Sequence, residues 1–418
     1  MKKYIQLYNK IKNMIIRGEL KNGDKIPSVR KAAEIYNVSI TTVQNAYFDL
    51  CADGFIIAQN KSGYFVSEIR NSLPSKSIEI ERSNIEFDLT GGTADADSFD
   101  FTLWQRYIKS ALRQSERLLS YSEPKGEYDL RCAVAEYIKE KRNVITSPDR
   151  IIIGAGVGAL LQILCSLLDK RSCVSFPDKS FTQGIGIFSD YGYEVHTRDK
   201  DADIIYVSPS HMTRWGDVMP IKRRLELIEY SQKNNSLVIE DDYENEFLYN
   251  VRPTPSIFAL GRGNIVYMGS FSAMLLPGIR ISFMVLTKEL AEKYDSCAKR
   301  FAQTASKTEQ IALCNYIRDG HIKSQIRKIR RLYTVKTKTF ADLLKKNMPD
   351  AKIEIGENTL QIILTADFEK ELTAFENEGI KVFVEKFENG KIVMVLSPSA
   401  IAYTNLEEAV KRLKKAIF

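Results

Sequence analysis

Histidine and cysteine are scarce, three and six among 418 residues. The cysteines form no CxxC pair, and His196, His211 and His321 lie far apart, so their spacing points to neither a structural metal site nor a disulfide framework. No metal is expected. Long apolar runs are also missing, and nothing approaches the roughly 20 residues that span a bilayer. The basic opening "MKKYIQLYNKIKNMIIRGEL" interrupts its apolar positions with polar ones, so it lacks the continuous core of a signal peptide. A chain without a membrane anchor, residing in the cytoplasm, is the expectation.

The chain is 44% hydrophobic and 27% charged, as soluble globular chains are, and its length implies two or three domains. Its net charge of +7 is uneven: residues 1–80 carry 12 Lys/Arg against 7 Asp/Glu. Most of the excess therefore sits on the first fifth of the chain, where it would suit a polyanion. A charge run is more often just a solvated face, so charge alone decides nothing.

The local patterns sharpen this. Residues 4–17 place Ile5, Tyr8, Ile11, Met14 and Ile15 on one helical stripe, and Gly18, Gly23 and Pro27 then break the helix. Ser28 can cap a second helix, and Ser39 a third that ends at Gly54, with Val43, Ala46, Tyr47 and Leu50 as its buried face. Two short strands, Phe55–Ala58 and Tyr64–Ser67, follow around a polar loop. This is the pattern of a winged helix-turn-helix, in which the third helix enters the major groove and the hairpin reaches the backbone or minor groove. Thr41, Thr42, Gln44 and Asn45 offer short hydrogen-bonding side chains for phosphates and base edges.

The segment "GDKIPSVRKAAEIYNVSITTVQNAYFDLCADGFI", with "KSGYFV" after it, closely resembles the DNA-binding domain of GntR-type bacterial repressors. That resemblance implies double-stranded operator DNA as the partner. It also implies that Ser28 and Arg30 touch backbone and bases, that Ser39, Thr41 and Thr42 line the recognition helix, and that Lys61, Ser62, Gly63 and Tyr64 form the wing. Ile40 stands where the family often has arginine, which puts the usual operator preference in doubt.

A polar stretch at residues 69–86 reads as a linker. From Phe87 onward strands alternate with helices, which argues a mostly parallel sheet with ligands at the carboxyl ends of its strands. Three strand ends carry suitable chemistry. In "IIIGAGVGALL" the amides around Gly156, Val157 and Gly158 can face a phosphate at a helix N-terminus, although such turns are often only structural. "LVIEDDYENEF" ends a buried strand in three carboxylates, which are costly there without a positive partner. "GSFSAMLLPGIR" supplies Ser270, Ser272 and Arg280 for a phosphate dianion.

With "YSEPKGEYDLRCAVAEYI" and "GHIKSQIRKIRRLY", these motifs resemble the fold-type I aminotransferase domain of MocR-type regulators, a branch of the GntR family. The implied architecture is an N-terminal winged helix-turn-helix (α+β) at residues 1–68 and an α/β fold-type I aminotransferase-like domain at 87–418. The latter divides into a large part at about 87–285 and a small part at about 286–418. The resemblance implies pyridoxal 5'-phosphate as cofactor, with Asp241 on the pyridine nitrogen, Tyr243 near the ring oxygen and Ser270, Ser272 and Arg280 on the phosphate. Phe181 would stack on the ring or belong to the core. It implies a homodimer as well, which brings two winged helices to paired half-sites.

In "YMGSFSAMLLPGIRISF" (267–283) the residue after the second serine, where the family carries its Schiff-base lysine, is Ala273. Without that amine the cofactor binds non-covalently or enters as an external aldimine with an amino compound, and catalysis is not expected. A sensor that has abandoned covalent attachment and a lysine replaced to trap a bound state both fit, and the intact surrounding turn favours replacement. The arginine clamp for an effector carboxylate is missing from "KIVMVLSPSAIAY" (391–403), and Gln183 stands near the other clamp position. Arg214 and His211 are left as pocket candidates, with surface roles equally open. The reading is a transcription regulator sensing pyridoxal phosphate or an amino adduct. Its rivals are an aminotransferase with an accessory DNA-binding head and a cofactor-free scaffold that binds DNA constitutively.

Overall fold

The computed structural model describes residues 3–60, 62–67, 85–168, 172–199, 201–212, 217–243, 245, 254–261, 263–356 and 361–418. The chain divides into two compact units, Met1–Ser83 and Asn84–Phe418. The expected linker lies outside the described residues except for its last two positions. Among the described residues no helix is long and apolar enough to cross a membrane.

The first unit runs α1 (Lys3–Ile16), β1 (Lys25–Ile26), α2 (Val29–Ile35), α3 (Ile40–Ala52), β2 (Ile56–Gln59) and β3 (Gly63–Val66). Its core is built on Leu7, Ile11 and Ile15 of α1 against Val43, Ala46, Tyr47 and Leu50 of α3. The expected face of α3 is therefore the buried one. The stripe on α1 is rotated from expectation: Ile5, Tyr8 and Met14 are half-buried flanks, because Leu7, Ile11 and Ile15 recur at intervals of four and line one edge. The wing strands lie within one residue of their predicted bounds, and β1 adds a third strand by pairing antiparallel with β3.

Both predicted caps are present. Ser28 Oγ accepts from Lys31 N at 3.4 Å, and Ser39 Oγ accepts from Thr42 N at 3.1 Å. Ser39→Ala removes the acceptor at the start of α3 and is expected to destabilise the first unit by about 0.5–2 kcal/mol. Urea unfolding of the full chain, followed by a probe in this unit, measures it.

In the second unit a seven-stranded sheet contains β5 (Ile151–Gly154), β6 (Cys173–Phe176), β7 (Glu194–Thr197), β8 (Ile204–Val207), β9 (Leu237–Asp241), β10 (Ile265–Ser270) and β11 (Ser282–Val285). Their order is β5-β11-β10-β9-β8-β6-β7, parallel except for β11. Side chains alternate between two apolar layers, as a strand covered on both faces requires. Ile151, Ile153, Tyr267 and Phe283 face the helices 101–112, 128–142 and 307–318, while Ile152, Val266, Met268 and Met284 face 157–167, 182–190 and 288–297.

A separate core lies around the antiparallel strands β12 (Lys352–Ile355), β13 (Ile362–Asp367), β15 (Phe383–Glu388) and β16 (Lys391–Leu396). The short strand β4 (Phe87–Asp88) joins that region by pairing with β14 (Ile380–Lys381), and Thr90 bridges to Ser397. The division therefore does not fall at residues 285/286. The helix His321–Asn347 contributes Ile322, Ile326, Ile329 and Tyr333 to the large core, then Phe340, Ala341 and Leu344 to the small one. Between these stretches buried Lys336 pairs with Asp95, so the apolar pattern changes partner in mid-helix with no break in the sequence to mark it.

Candidate functional site

Each unit carries its own candidate surface. On the first, Arg30, Thr41, Gln44 and Asn45 are exposed, with Arg30 on α2 and the others on the first turns of α3. Ser28 and Ser39 are engaged as helix caps, and the hydroxyl of half-buried Thr42 lies 2.8 Å from that of Ser39. In the wing Ser62 is exposed, whereas the ring of Tyr64 packs edge-on against Tyr47 at 4.9 Å. Lys61 lies outside the described residues. Phe48, 74% exposed on α3, was not singled out by the sequence, because its position continues an apolar helix.

On the second unit a cavity of about 490 Å³ opens at the carboxyl ends of the parallel strands. Gly156, Val157, Phe181, His211, Asp241, Tyr243, Ser270, Ser272, Ala273 and Arg280 all line it, as does Gln183. Gly158 stands behind: a Cβ there would meet Gln183 Nε2 at 2.6 Å. Arg214 lies outside the described residues. Tyr206, Asp178 and Gln361 also line the cavity and were missed by the sequence. Only for Tyr206 was a signal available, since it sits near the end of the apolar strand "ADIIYVSP".

At one end of the cavity β5 turns into the helix Val157–Leu167 at Gly156, whose φ is +94°. A Cβ on Gly156 would come within 2.5 Å of Arg280 Nη2, so only glycine lets the guanidinium lie over this turn. Ser270 Oγ accepts from Ser272 N at 3.2 Å and from Ser282 Oγ at 2.9 Å. Ser272 Oγ is buried and has no hydrogen-bond partner among the described residues. A helix N-terminus, a guanidinium and an unmet hydroxyl make a receptor for a dianion.

The other end is set by how β9 distributes its carboxylates. Strand alternation sends Glu240 and Asp242 to one face and Asp241 to the other. Glu240 accepts from Ile257 N and Phe258 N at 2.7 and 2.8 Å, while burial pushes its carboxyl up to about 8. Asp242 is met by Arg142 Nε at 2.6 Å, Tyr267 OH at 2.9 Å and Ser210 Oγ at 3.0 Å. These two acids are structural.

Asp241 differs: Tyr206 donates its hydroxyl to Oδ2 at 2.5 Å, and Oδ1 is buried without a hydrogen-bond partner among the described residues. Burial raises its carboxyl to about 6, against the lowering effect of the Tyr206 bond. His211, whose ring lies 5.1 Å from that of Tyr243, is pushed down to about 4 by burial and is neutral at pH 7. The cavity thus offers an anion receptor at one end and an incompletely satisfied acid at the other. A ligand with a phosphate on one side and a protonated ring nitrogen on the other would answer both. Phe181 lines the space between and stacks on Tyr206 at 5.3 Å and 29°, so it is both a wall of the cavity and part of the apolar layer beneath.

Residues 3–66 match the family described as bacterial regulatory proteins of the gntR type, and residues 88–387 match aminotransferase class I and II. The chain is 31% identical to an uncharacterized HTH-type transcriptional regulator, YdeL of Bacillus subtilis, over 99% of this chain and 96% of that protein. It is 28% identical to the probable rhizopine catabolism regulatory protein MocR of Rhizobium meliloti, over 88% and 82% of the respective chains. Among solved structures, Pyrococcus horikoshii kynurenine aminotransferase, in complex with PMP, aligns with a TM-score of 0.69 at 20% identity. That alignment covers 84% of this chain and 98% of the other.

Proposed function

We propose, for a chain that belongs to the MocR-type branch of the GntR transcription regulators, that its aminotransferase-like domain binds pyridoxal 5'-phosphate as the signal. The ligand is either the free cofactor or its adduct with an amino compound. One observation carries this reading: among the described residues, Ser272 Oγ and Asp241 Oδ1 are buried polar atoms without a hydrogen-bond partner, and both residues line the same cavity. Each would be satisfied by one end of that ligand.

Ser270, Ser272, Arg280 and the amide of Val157 would hold the phosphate, while Gly156, whose own amide donates to Gly154 O at 3.0 Å, shapes the turn. Asp241 would keep the ring nitrogen protonated, Tyr243 would approach the ring oxygen, and Phe181 would lie against the ring. When bound, the cofactor supplies an aldehyde and an electron-withdrawing ring. Ala273, beside Ser272 on the cavity wall, has no amine to condense with that aldehyde and no base to move a proton. Binding without turnover follows. Titration with pyridoxal phosphate, followed by absorbance and calorimetry, is expected to show reversible binding with no lysine-linked band. A chain that takes up none overturns the reading.

Regulation needs duplex DNA, and the GntR-type unit supplies its reader. The positive excess on residues 1–80 predicts operator binding that weakens steeply with salt, by a factor of roughly 0.9 in log–log slope per phosphate neutralised. Fluorescence anisotropy on upstream duplexes checks this, and Arg30→Ala is expected to weaken binding. Salt-insensitive binding would remove the electrostatic basis of the assignment. The working form is a homodimer, in keeping with nearly full exposure of Leu119 (88%) and Tyr121 (102%) in the single chain. Bound ligand changes operator affinity only if it favours one arrangement of that dimer over another.

A further inference from the structure

Away from the cavity, at the outer edge of the large sheet, the fold assembles three side chains that spacing alone gave no reason to connect. Cys173 opens β6, His196 lies on the neighbouring edge strand β7, and Asp199 follows β7. The strands run parallel with Cys173 opposite Glu194 and Ser175 opposite His196, so the thiol and the imidazole share a face one step apart. Arg198, at φ +55°, then turns the chain so that Asp199 folds back over that face. Asp199 Oδ2 lies 2.9 Å from His196 Nδ1 and 3.6 Å from Cys173 Sγ, and all three donor atoms lie within 4.8 Å of one another.

We infer that Cys173, His196 and Asp199 form a binding site for a divalent transition-metal ion of the zinc class. A thiolate, an imidazole and a carboxylate suit zinc and its neighbours and are unsuited to magnesium or calcium, which take oxygen donors. The spacing agrees. Tetrahedral zinc with sulfur at about 2.3 Å and oxygen at about 2.1 Å holds them roughly 3.6 Å apart. The nitrogen–oxygen pair must open by about half an ångström to reach its tetrahedral value of roughly 3.4 Å, and the sulfur–nitrogen pair, within 4.8 Å, settles at roughly 3.6 Å.

The supporting groups are also in place. Asp199 Oδ1 is occupied by Asp201 N at 2.9 Å, and Asp199 N donates to Ser175 Oγ at 2.9 Å, so Oδ2 is the oxygen presented to the cluster. Glu194 Oε2 stands 3.8 Å from His196 Nε2, so a small side-chain rotation would let it accept from that nitrogen once Nδ1 ligates, the arrangement that orients metal-bound imidazoles. Water or a swung-in carboxylate completes the coordination. The surroundings favour a cation too, since the carboxylates of Asp203 and Glu194 also lie near the thiol. Cysteine ligates as the thiolate, so binding replaces the thiol proton with the metal and releases that proton to solvent.

This site does not depend on the pyridoxal phosphate reading, and its test omits that ligand. The full chain, reduced and stripped with a chelator, is titrated with zinc against a chromogenic competitor and separately with cobalt(II). One ion per chain, a thiolate-to-cobalt charge-transfer band in the near ultraviolet and release of one proton at pH 7 are expected. Cys173→Ser and His196→Ala are each expected to abolish the band, and Glu194→Gln to weaken binding about tenfold. Unchanged zinc affinity in both ligand variants, or no uptake by the parent chain, overturns the site. Should the variants fail to fold, alkylation of the parent chain read by mass spectrometry decides it. Zinc must protect Cys173 among the six cysteines, and alkylation of Cys173 at the same rate with and without zinc rules the site out.

Discussion

Ala273→Lys is expected to turn a chain that takes up pyridoxal phosphate only reversibly into one that holds it covalently. The change runs from no borohydride-stable label to about one per subunit, because a primary amine beside Ser272 would reach the aldehyde of a ligand whose phosphate is held at that serine. Residue 273 lines the cavity, between the unmet Ser272 hydroxyl and the apolar Met274 and Leu275. Reduction followed by peptide mass spectrometry reads the result. A label on any other lysine, or none, would show that the cofactor does not sit as argued. The same variant separates a sensor from an enzyme, since measurable transamination after restoration would mean that the rest of the catalytic apparatus is intact.

Asp241→Ala is expected to cost pyridoxal phosphate affinity on the order of 2–5 kcal/mol, the loss seen when one member of a buried, hydrogen-bonded charge pair is deleted. Operator binding without ligand should be nearly unchanged. Calorimetric titration of the two proteins side by side measures the difference, and equal affinities would return Asp241 to a structural role.

A companion effect has the opposite sign. The native carboxyl titrates at about 6 against an ordinary 3.8, so the folded protein binds the proton more tightly than the unfolded chain does. Stability is accordingly lost as pH rises from about 4 to about 6, and the penalty is fully present above that window. Asp241→Asn is therefore expected to stabilise the ligand-free protein at pH 8, on the order of 1–3 kcal/mol, and to leave it nearly unchanged at pH 4. Denaturant unfolding at the two pH values checks it. An acid that weakens the empty protein and strengthens the ligand complex is the expected signature of a site kept for binding.

Much of this was legible because it rests on local rules. Caps at Ser28 and Ser39, the buried face of α3 and the turn at Gly156 follow from nearby residues. The motif "EDD" could be recognised as needing partners, but which carboxylate faces the cavity depends on Arg142 a hundred residues upstream and on the amides of Ile257 and Phe258. Tyr206 was overlooked for a similar reason, since an aromatic residue in an apolar strand looks like core until its hydroxyl is found on Asp241. β1 lies in the stretch read only as a break after the first helix, because two residues carry no periodicity. Cys173, His196 and Asp199 are brought together by strand pairing, which composition does not reveal.

The pairing of β4 with β14 bears on the order in which the protein is made. Phe87 and Asp88 are held by Ile380 and Lys381, and Thr90 by Ser397, so the second unit cannot close until nearly the whole chain has left the ribosome. At roughly 5–20 residues per second that is a wait of about 15–60 s after the strand first emerges. The sheet of the first unit, by contrast, pairs only residues 25–66, with α2 and α3 inside that span and α1 just before it. It can fold while synthesis continues, which would give each nascent chain a finished DNA-binding unit well before the aminotransferase-like unit is complete.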